Sequence, residues 1–334
     1  MRCTSLLCRI SASPELQRTS MRLARALRHP LKLGASVALA GALAVAPALH
    51  AQQAIQVFLS AVDGDGKPVT DLRAEDINIM VDGSLCKTTK FDAIDWPVKL
   101  TLMVDNGPVH NDALRQLREA LRLFIAELPT DMEVSIISID PAPRWIYKPG
   151  ADRVKMLSSI DLLIPDQGAP KFIDALSEAA DRVNKDKTDK NKEKGNYFPV
   201  FMMVGSAGLE GSNPRDYQVN KLFKQVADNA VTVHIVMQQN STRSSDIASG
   251  TNQIEVGLRL TQLTGGRYES INSETRLSTL LPEYGKRIAA SHARQAHQYR
   301  ITCQPTGGGT PKQITAATNR GGMSAALTLD GRIP

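Results

Sequence analysis

Residues 98–293 alternate between strand-like and helix-like segments, and this alternation constrains the fold more than any other feature of the sequence. Apolar runs predict strands at residues 98–104, 133–139, 200–204, 231–237 and 268–271. Apolar residues at helical spacing predict helices at residues 114–128, 152–163, 171–183, 215–228, 254–263 and 274–293. Residues 144–148 are flanked by prolines and predict an edge strand. The pattern predicts an α/β fold with a doubly wound, mostly parallel sheet.

Both flanks of this region contain short strand-like segments, at residues 55–62, 76–81, 299–303 and 323–329. We expect segments 52–95 and 296–334 to pack together as one small β-rich domain beside an α/β domain at 96–295. Cys86 lies in the first flank and Cys303 in the second. In an oxidising compartment the two cysteines are a candidate disulfide, and two separately buried thiols are the alternative.

Residues 1–51 have the pattern of a secretory signal. Basic residues between Arg22 and Lys32 precede an Ala-rich apolar run at Leu33–Leu49, and small residues before Gln52 offer cleavage sites. Met21 is an alternative start to Met1. We predict a periplasmic or secreted protein, whose only membrane contact would be an uncleaved signal segment.

The net charge of +6 belongs to this leader. Residues 1–51 hold seven of the 40 Lys and Arg residues and one of the 34 Asp and Glu residues, so residues 52–334 carry 33 of each. A neutral mature chain gives no reason to expect a nucleic-acid partner. A mixed-charge run at residues 184–196 predicts a solvated loop.

The segment Asp105-Asn106-Gly107-Pro108-Val109 follows the first strand of the α/β region and precedes a helix. An Asp there lies at the carboxyl edge of a parallel sheet, where such folds bind ligands. Together with residues 133–140, 168–176 and 200–212, it resembles a von Willebrand factor A-like domain over about residues 96–295. Residues 55–91 are similar to the leader of exported bacterial members.

That resemblance implies a divalent-cation site built from Asp-x-Ser-x-Ser, a threonine and a second aspartate, on three loops. This chain keeps Asp105, but Gly107 and Val109 replace the two serines, Pro170 replaces the threonine, and Ser206 is nearest to the place of the second aspartate. Because Mg²⁺ takes several oxygen ligands in near-octahedral geometry, we predict a degenerate site that holds no metal, and no cofactor.

No sequence motif in this chain predicts a set of catalytic residues. Ser206 lies in Gly-Ser-Ala-Gly, which is not the nucleophile-elbow pattern, and His234 lies within an apolar strand. We therefore predict an exported, non-enzymatic module that binds another envelope or secreted protein. The predicted binding surface is the strand edge formed by Asp105, Asn106, Gly107, Pro108, Gly168, Ala169, Pro170 and Ser206.

Several alternatives stay open. One is a metal-dependent adhesion module with altered ligands, drawn from Asn111, Asp112 or Ser206. Others are a serine hydrolase that uses Ser206 and an envelope protein with a structural role alone. For Asp105 itself, a carboxylate bonded to backbone N–H groups is the favoured interpretation over a direct contact with a partner.

Overall fold

The structure is a computed structural model, which describes residues 54–107, 113–189, 195–208, 210–239, 247–307 and 309–333, with only the backbone described at 247–251. The predicted signal segment therefore lies outside the described residues. Within the described ranges, no helix is long and apolar enough to cross a membrane. In chain order the strands are β1 (Ile55–Asp63), β2 (Ile77–Val81), β3 (Ser84–Asp95), β4 (Val98–Val104), β5 (Glu133–Ser138), β6 (Arg144–Gly150), β7 (Phe198–Ala207), β8 (Thr232–Gln239), β9 (Tyr268–Ile271), β10 (His297–Gln304), β11 (Ile314–Thr318) and β12 (Met323–Thr328). The α-helices are α1 (Leu114–Ala126), α2 (Arg153–Ser159), α3 (Phe172–Thr188), α4 (Asp216–Asp228), α5 (Ile247–Thr264) and α6 (Leu277–Gln295).

The two flanks form one antiparallel sheet, in the order β11-β2-β3-β10-β1-β12. The predicted small β-rich unit built from both flanks is therefore confirmed. Leu59, Ile79 and Ile301 lie in its buried core. Tyr299 adds a polar link, because its hydroxyl accepts the Leu72 N–H at 3.0 Å and donates to the Val69 carbonyl at 3.0 Å.

A disulfide joins Cys86 in β3 to Cys303 in β10. Of the two possibilities left open by the sequence, the structure therefore has the disulfide and not two separately buried thiols. Both side chains are almost completely buried, at 2% and 0% exposure. The bond closes a chain segment of 217 residues, which includes the whole α/β region. It therefore fixes the two flanks to each other independently of the strand pairing.

The second sheet has the order β6-β5-β4-β7-β8-β9 and is parallel except for the edge strand β6. This confirms the doubly wound sheet and the edge strand. One face packs against α1, α2 and α6, and the other against α3, α4 and α5. β4 is the first strand of the sheet, and the chain adds β5 on one side of it and β7 on the other. Ligands of open α/β sheets bind at such a switch point, outside the carboxyl ends of the strands.

Three parts of the sequence prediction differ from the structure. β3 and β11 were not predicted, because neither has a clear apolar alternation, and pairing with better-defined neighbours makes them strands. The solvated loop predicted at 184–196 is wrong for its first residues, since α3 continues to Thr188. There Lys187 donates to the Asn229 carbonyl at 2.8 Å and lies 5.6 Å from the ring centre of Tyr197.

Candidate functional site

Asp105 links the carboxyl ends of β4 and β7. Its Oδ1 accepts the Gly107 N–H at 2.8 Å, and its Oδ2 accepts both the Ser206 N–H at 3.1 Å and the Ser206 hydroxyl at 2.5 Å. The side chain is 1% exposed. A buried carboxylate with three donors is well compensated. The structure thus shows the N–H-bonded carboxylate favoured for Asp105 from the sequence.

Asn106 holds the loop that follows α2 against the end of β4. Its Nδ2 donates to the Ile164 carbonyl at 2.8 Å, and its backbone carbonyl accepts the Asp166 N–H at 2.9 Å. Its Oδ1 accepts the Asp140 N–H at 3.3 Å, which ties the end of β5 to the same point. Asn106 is completely buried, so its role is to position the loop at residues 164–166.

The loop after β7 is fixed to the same edge by hydrogen bonds from two directions. The Gly211 N–H donates to the Pro170 carbonyl at 2.8 Å. From α5, the buried Gln253 donates through Nε2 to the Ser206 carbonyl at 2.7 Å. The three loops that the sequence analysis brought together are therefore joined into one strand edge.

Asp140, just after β5, is the residue at this edge that the sequence analysis missed. Its side chain is completely buried, and neither carboxylate oxygen has a hydrogen-bond partner among the described residues. A Cβ on Gly107 would lie 2.6 Å from Asp140 Oδ2, and one on Gly168 would overlap Asp140 Oδ1. The two glycines therefore make the space that the carboxylate fills. Asp140 ends the stretch 133–140 that carries part of the family resemblance, but it was predicted from the sequence neither as a metal ligand nor as a residue of the binding surface.

Burial, together with the negative charges of Asp105 and Asp166, raises the pKa of Asp140 to about 6, against the opposing charge of Arg144. The neutral acid is the form that such a site favours, because an unpaired buried charge is costly. The carboxyl end of the sheet thus combines one well-bonded carboxylate with one that is readily protonated.

The arrangement does not fit the divalent-cation site of the resembled family. The point where a Cβ of Gly107 would lie is 3.0 Å from Asp105 Oδ1 and 2.6 Å from Asp140 Oδ2, but also 3.0 Å from Cγ of the Pro170 ring. No group of three or more His, Cys, Asp or Glu side chains suited to a metal occurs in the described ranges. Two carboxylates beside an apolar ring, one of which already accepts three hydrogen bonds, fall short of an octahedral oxygen shell.

We expect Asp140→Asn to remove part of the pH dependence of stability. A carboxyl group whose pKa is raised in the folded state stabilises the fold while it is protonated, and this contribution is lost as the pH rises from about 4 through about 6. The amide stays neutral, so the variant should be more stable than the wild type by about 1–2 kcal/mol at pH 8 and equal to it near pH 4. Urea unfolding at both pH values measures the difference; a variant less stable at pH 8 would show that the charged form is compensated.

Ser206 is not arranged as a nucleophile. Its hydroxyl donates to Asp105 and is 4% exposed. His234 lies on β8 at the register of Met202, whereas Ser206 pairs with Gln238, four residues farther along the strand. That separation is about 13 Å at strand spacing, so His234 cannot act as its base.

The predicted site residues are brought together, but most of them face inward. Asp105, Asn106, Gly107, Pro170 and Ser206 are buried, while Gly168 and Ala169 are partly exposed. Pro108, Val109 and the alternative ligands Asn111 and Asp112 lie outside the described residues. A protein that binds this edge would contact the loops that these side chains support.

No protein-family model matches the chain, and no curated protein matches it. Solved structures similar to it include a von Willebrand factor type A protein from Catenulispora acidiphila, with 10% identity, a TM-score of 0.46, and coverage of 84% of this chain and 74% of that one. BatB from Bacteroides thetaiotaomicron has 12% identity, a TM-score of 0.38, and coverage of 57% and 98%. The SpRpn10 VWA domain has 16% identity, a TM-score of 0.41, and coverage of 55% and 94%. At these identities and TM-scores, no site residue or partner is transferred from these proteins to this chain.

Proposed function

We propose that this chain is an exported, non-enzymatic module of the cell envelope that binds another protein at the carboxyl edge of its parallel sheet, without a metal ion. The observation that carries the proposal is the bonding of Asp105, whose two oxygens accept three hydrogen bonds from Gly107 and Ser206. Two backbone N–H groups and a serine hydroxyl of the chain itself supply these hydrogen bonds at the strand edge.

The binding surface that we propose is the rim at residues 162–169 and 210–215. Leu162 is 60% exposed and Ile164 is 53% exposed, beside the loop that Asn106 holds. Exposed apolar side chains on a fixed loop lose little conformational freedom on binding, which favours contact with a partner. The predicted residues Gly168 and Ala169 lie within this rim, and the buried ones support it.

The predicted export of this chain also supports a partner in the cell envelope or outside the cell. The signal pattern at residues 1–51 would place the chain in an oxidising compartment, where a Cys86–Cys303 bond forms and persists. A partner met there would be another envelope or secreted protein.

Site-specific photo-crosslinking in the periplasm tests the rim. A photoreactive residue at the exposed Gln167 should give discrete protein adducts, and one at the exposed Lys224 on α4 should not. Ile164→Asp should reduce the Gln167 adducts at least tenfold, because it places a charge in the apolar contact.

Val154→Asp is the matched control, since Val154 is 78% exposed on α2, outside the rim. It should leave the adducts unchanged. Adducts that form equally at Lys224, or that survive Ile164→Asp, would show that the partner binds another face.

A further inference from the structure

The edge of the parallel sheet opposite the rim contains a cavity of about 170 Å³. Its walls come from the early residues of β4, β7 and β8, from the Gly265-Gly266 turn and from α6. Val98, Val200 and Ile288 contribute apolar lining, and His234, Arg267 and Arg287 contribute polar and basic lining. None of these residues belongs to the rim.

His234 presents an unused hydrogen-bond donor at this cavity. The side chain is 8% exposed, and its Nδ1 accepts the Arg267 N–H at 3.2 Å. Burial lowers the pKa of His234 to about 4, helped by the positive charges of Arg287 and Arg267, so the ring is neutral and its single proton lies on Nε2. No described residue accepts that proton, although the ring is also held by an edge contact with Tyr284 at 5.7 Å.

The two arginines differ in how their charge is compensated. Arg267 forms an ion pair with Glu269 at 3.2 Å. Arg287, on α6, has no carboxylate within ion-pair distance among the described residues, although Glu283 lies one turn earlier on the same helix. An uncompensated guanidinium beside a neutral imidazole donor attracts an anion with a planar pair of oxygens.

We propose that this cavity binds a small organic carboxylate, whose apolar part contacts Val98, Val200 and Ile288 and whose oxygens accept hydrogen bonds from His234 Nε2 and the Arg287 guanidinium. The volume is close to that of a cavity that accepts a benzene ring, about 150 Å³. Larger metabolites exceed it, and a purely inorganic anion would leave the apolar wall without contact. The ligand class is therefore a monocarboxylate with a compact apolar group.

Calorimetric titration of benzoate into the purified protein, at constant ionic strength, tests the proposal. Benzoate should bind saturably, and benzamide, which has the same shape without the charge, should bind at least tenfold more weakly. Arg287→Gln should weaken benzoate binding at least tenfold. Because Arg287 is exposed, this substitution should leave thermal unfolding unchanged, which separates loss of binding from loss of fold.

Arg294→Gln, on the same helix but outside the cavity lining, is the matched control and should bind benzoate as the wild type does. The proposal is overturned if benzoate shows no saturable binding, if benzamide binds equally well, or if Arg287→Gln and Arg294→Gln have the same affinity. Each of these outcomes leaves the proposed rim untouched, because the two surfaces share no residue.

Discussion

Replacing Cys86 and Cys303 by alanine is expected to lower the free energy of unfolding by about 5 kcal/mol, the largest effect of any change considered for this chain. The disulfide closes a 217-residue segment, and the chain-entropy model assigns a stabilisation of that size to so long a loop. Urea unfolding of oxidised wild type and the double variant gives the difference directly.

Reduction of the wild type is the control for this substitution. Both sulfurs are buried, so alanine also removes packing, whereas reduction breaks only the bond. Wild type unfolded in the presence of reductant should approach the double variant. A loss below about 1 kcal/mol in both experiments would mean that the strand pairing of β3 with β10 alone holds the flanks together.

Gly168→Ala is expected to cost about 3 kcal/mol, because the added methyl group has no space. It would overlap Asp140 Oδ1 and lie 2.7 Å from Cβ and 3.1 Å from Cα of Pro141. Gly64→Ala is the matched control, since nothing lies within 4 Å of the added atom, and it should change stability by less than about 0.5 kcal/mol.

A double-mutant cycle with Asp140 shows whether Gly168 is needed because of the Asp140 carboxylate or because of the other atoms around it. In the Asp140→Ala background, Gly168→Ala should cost at least about 1.5 kcal/mol less than in the wild type, because the carboxylate is its first steric contact. A double-mutant cycle with no coupling would show that Pro141, and not the buried carboxylate, determines the need for glycine.

The alternation of strands and helices was predictable because each element is long and strongly patterned. β7 is buried along almost its whole length, β4 ends in the buried apolar run Leu102–Val104, and α1 buries Leu117, Leu121 and Phe124 on one face. β3 was not predictable in the same way, since its run from Lys87 to Lys90 is polar and becomes a strand only through its partners. Its existence follows from tertiary pairing, which local sequence does not encode.

The candidate site likewise has one part that the sequence predicted and one part that it did not. The position of Asp105 followed from a strand that ends where a helix is about to begin, and the loss of hydroxyl residues at Gly107 and Pro170 was visible in the sequence. Asp140 was not found, because its environment is made by Gly107 and Gly168 from two other loops. Whether a carboxylate is buried without a hydrogen-bond partner depends on three-dimensional packing, and the spacing of residues along the chain does not predict it.

Titration of Mg²⁺ and Mn²⁺ into the purified protein, followed by calorimetry, tests the metal-free strand edge most directly. Asp105 already accepts three hydrogen bonds from Gly107 and Ser206, and no ligand group of three occurs in the described part of the chain. We therefore expect no saturable heat at millimolar cation, in wild type or in Asp105→Ala. Saturable binding to the wild type that Asp105→Ala abolishes would contradict it, and would show that the carboxylates of this edge still hold a cation.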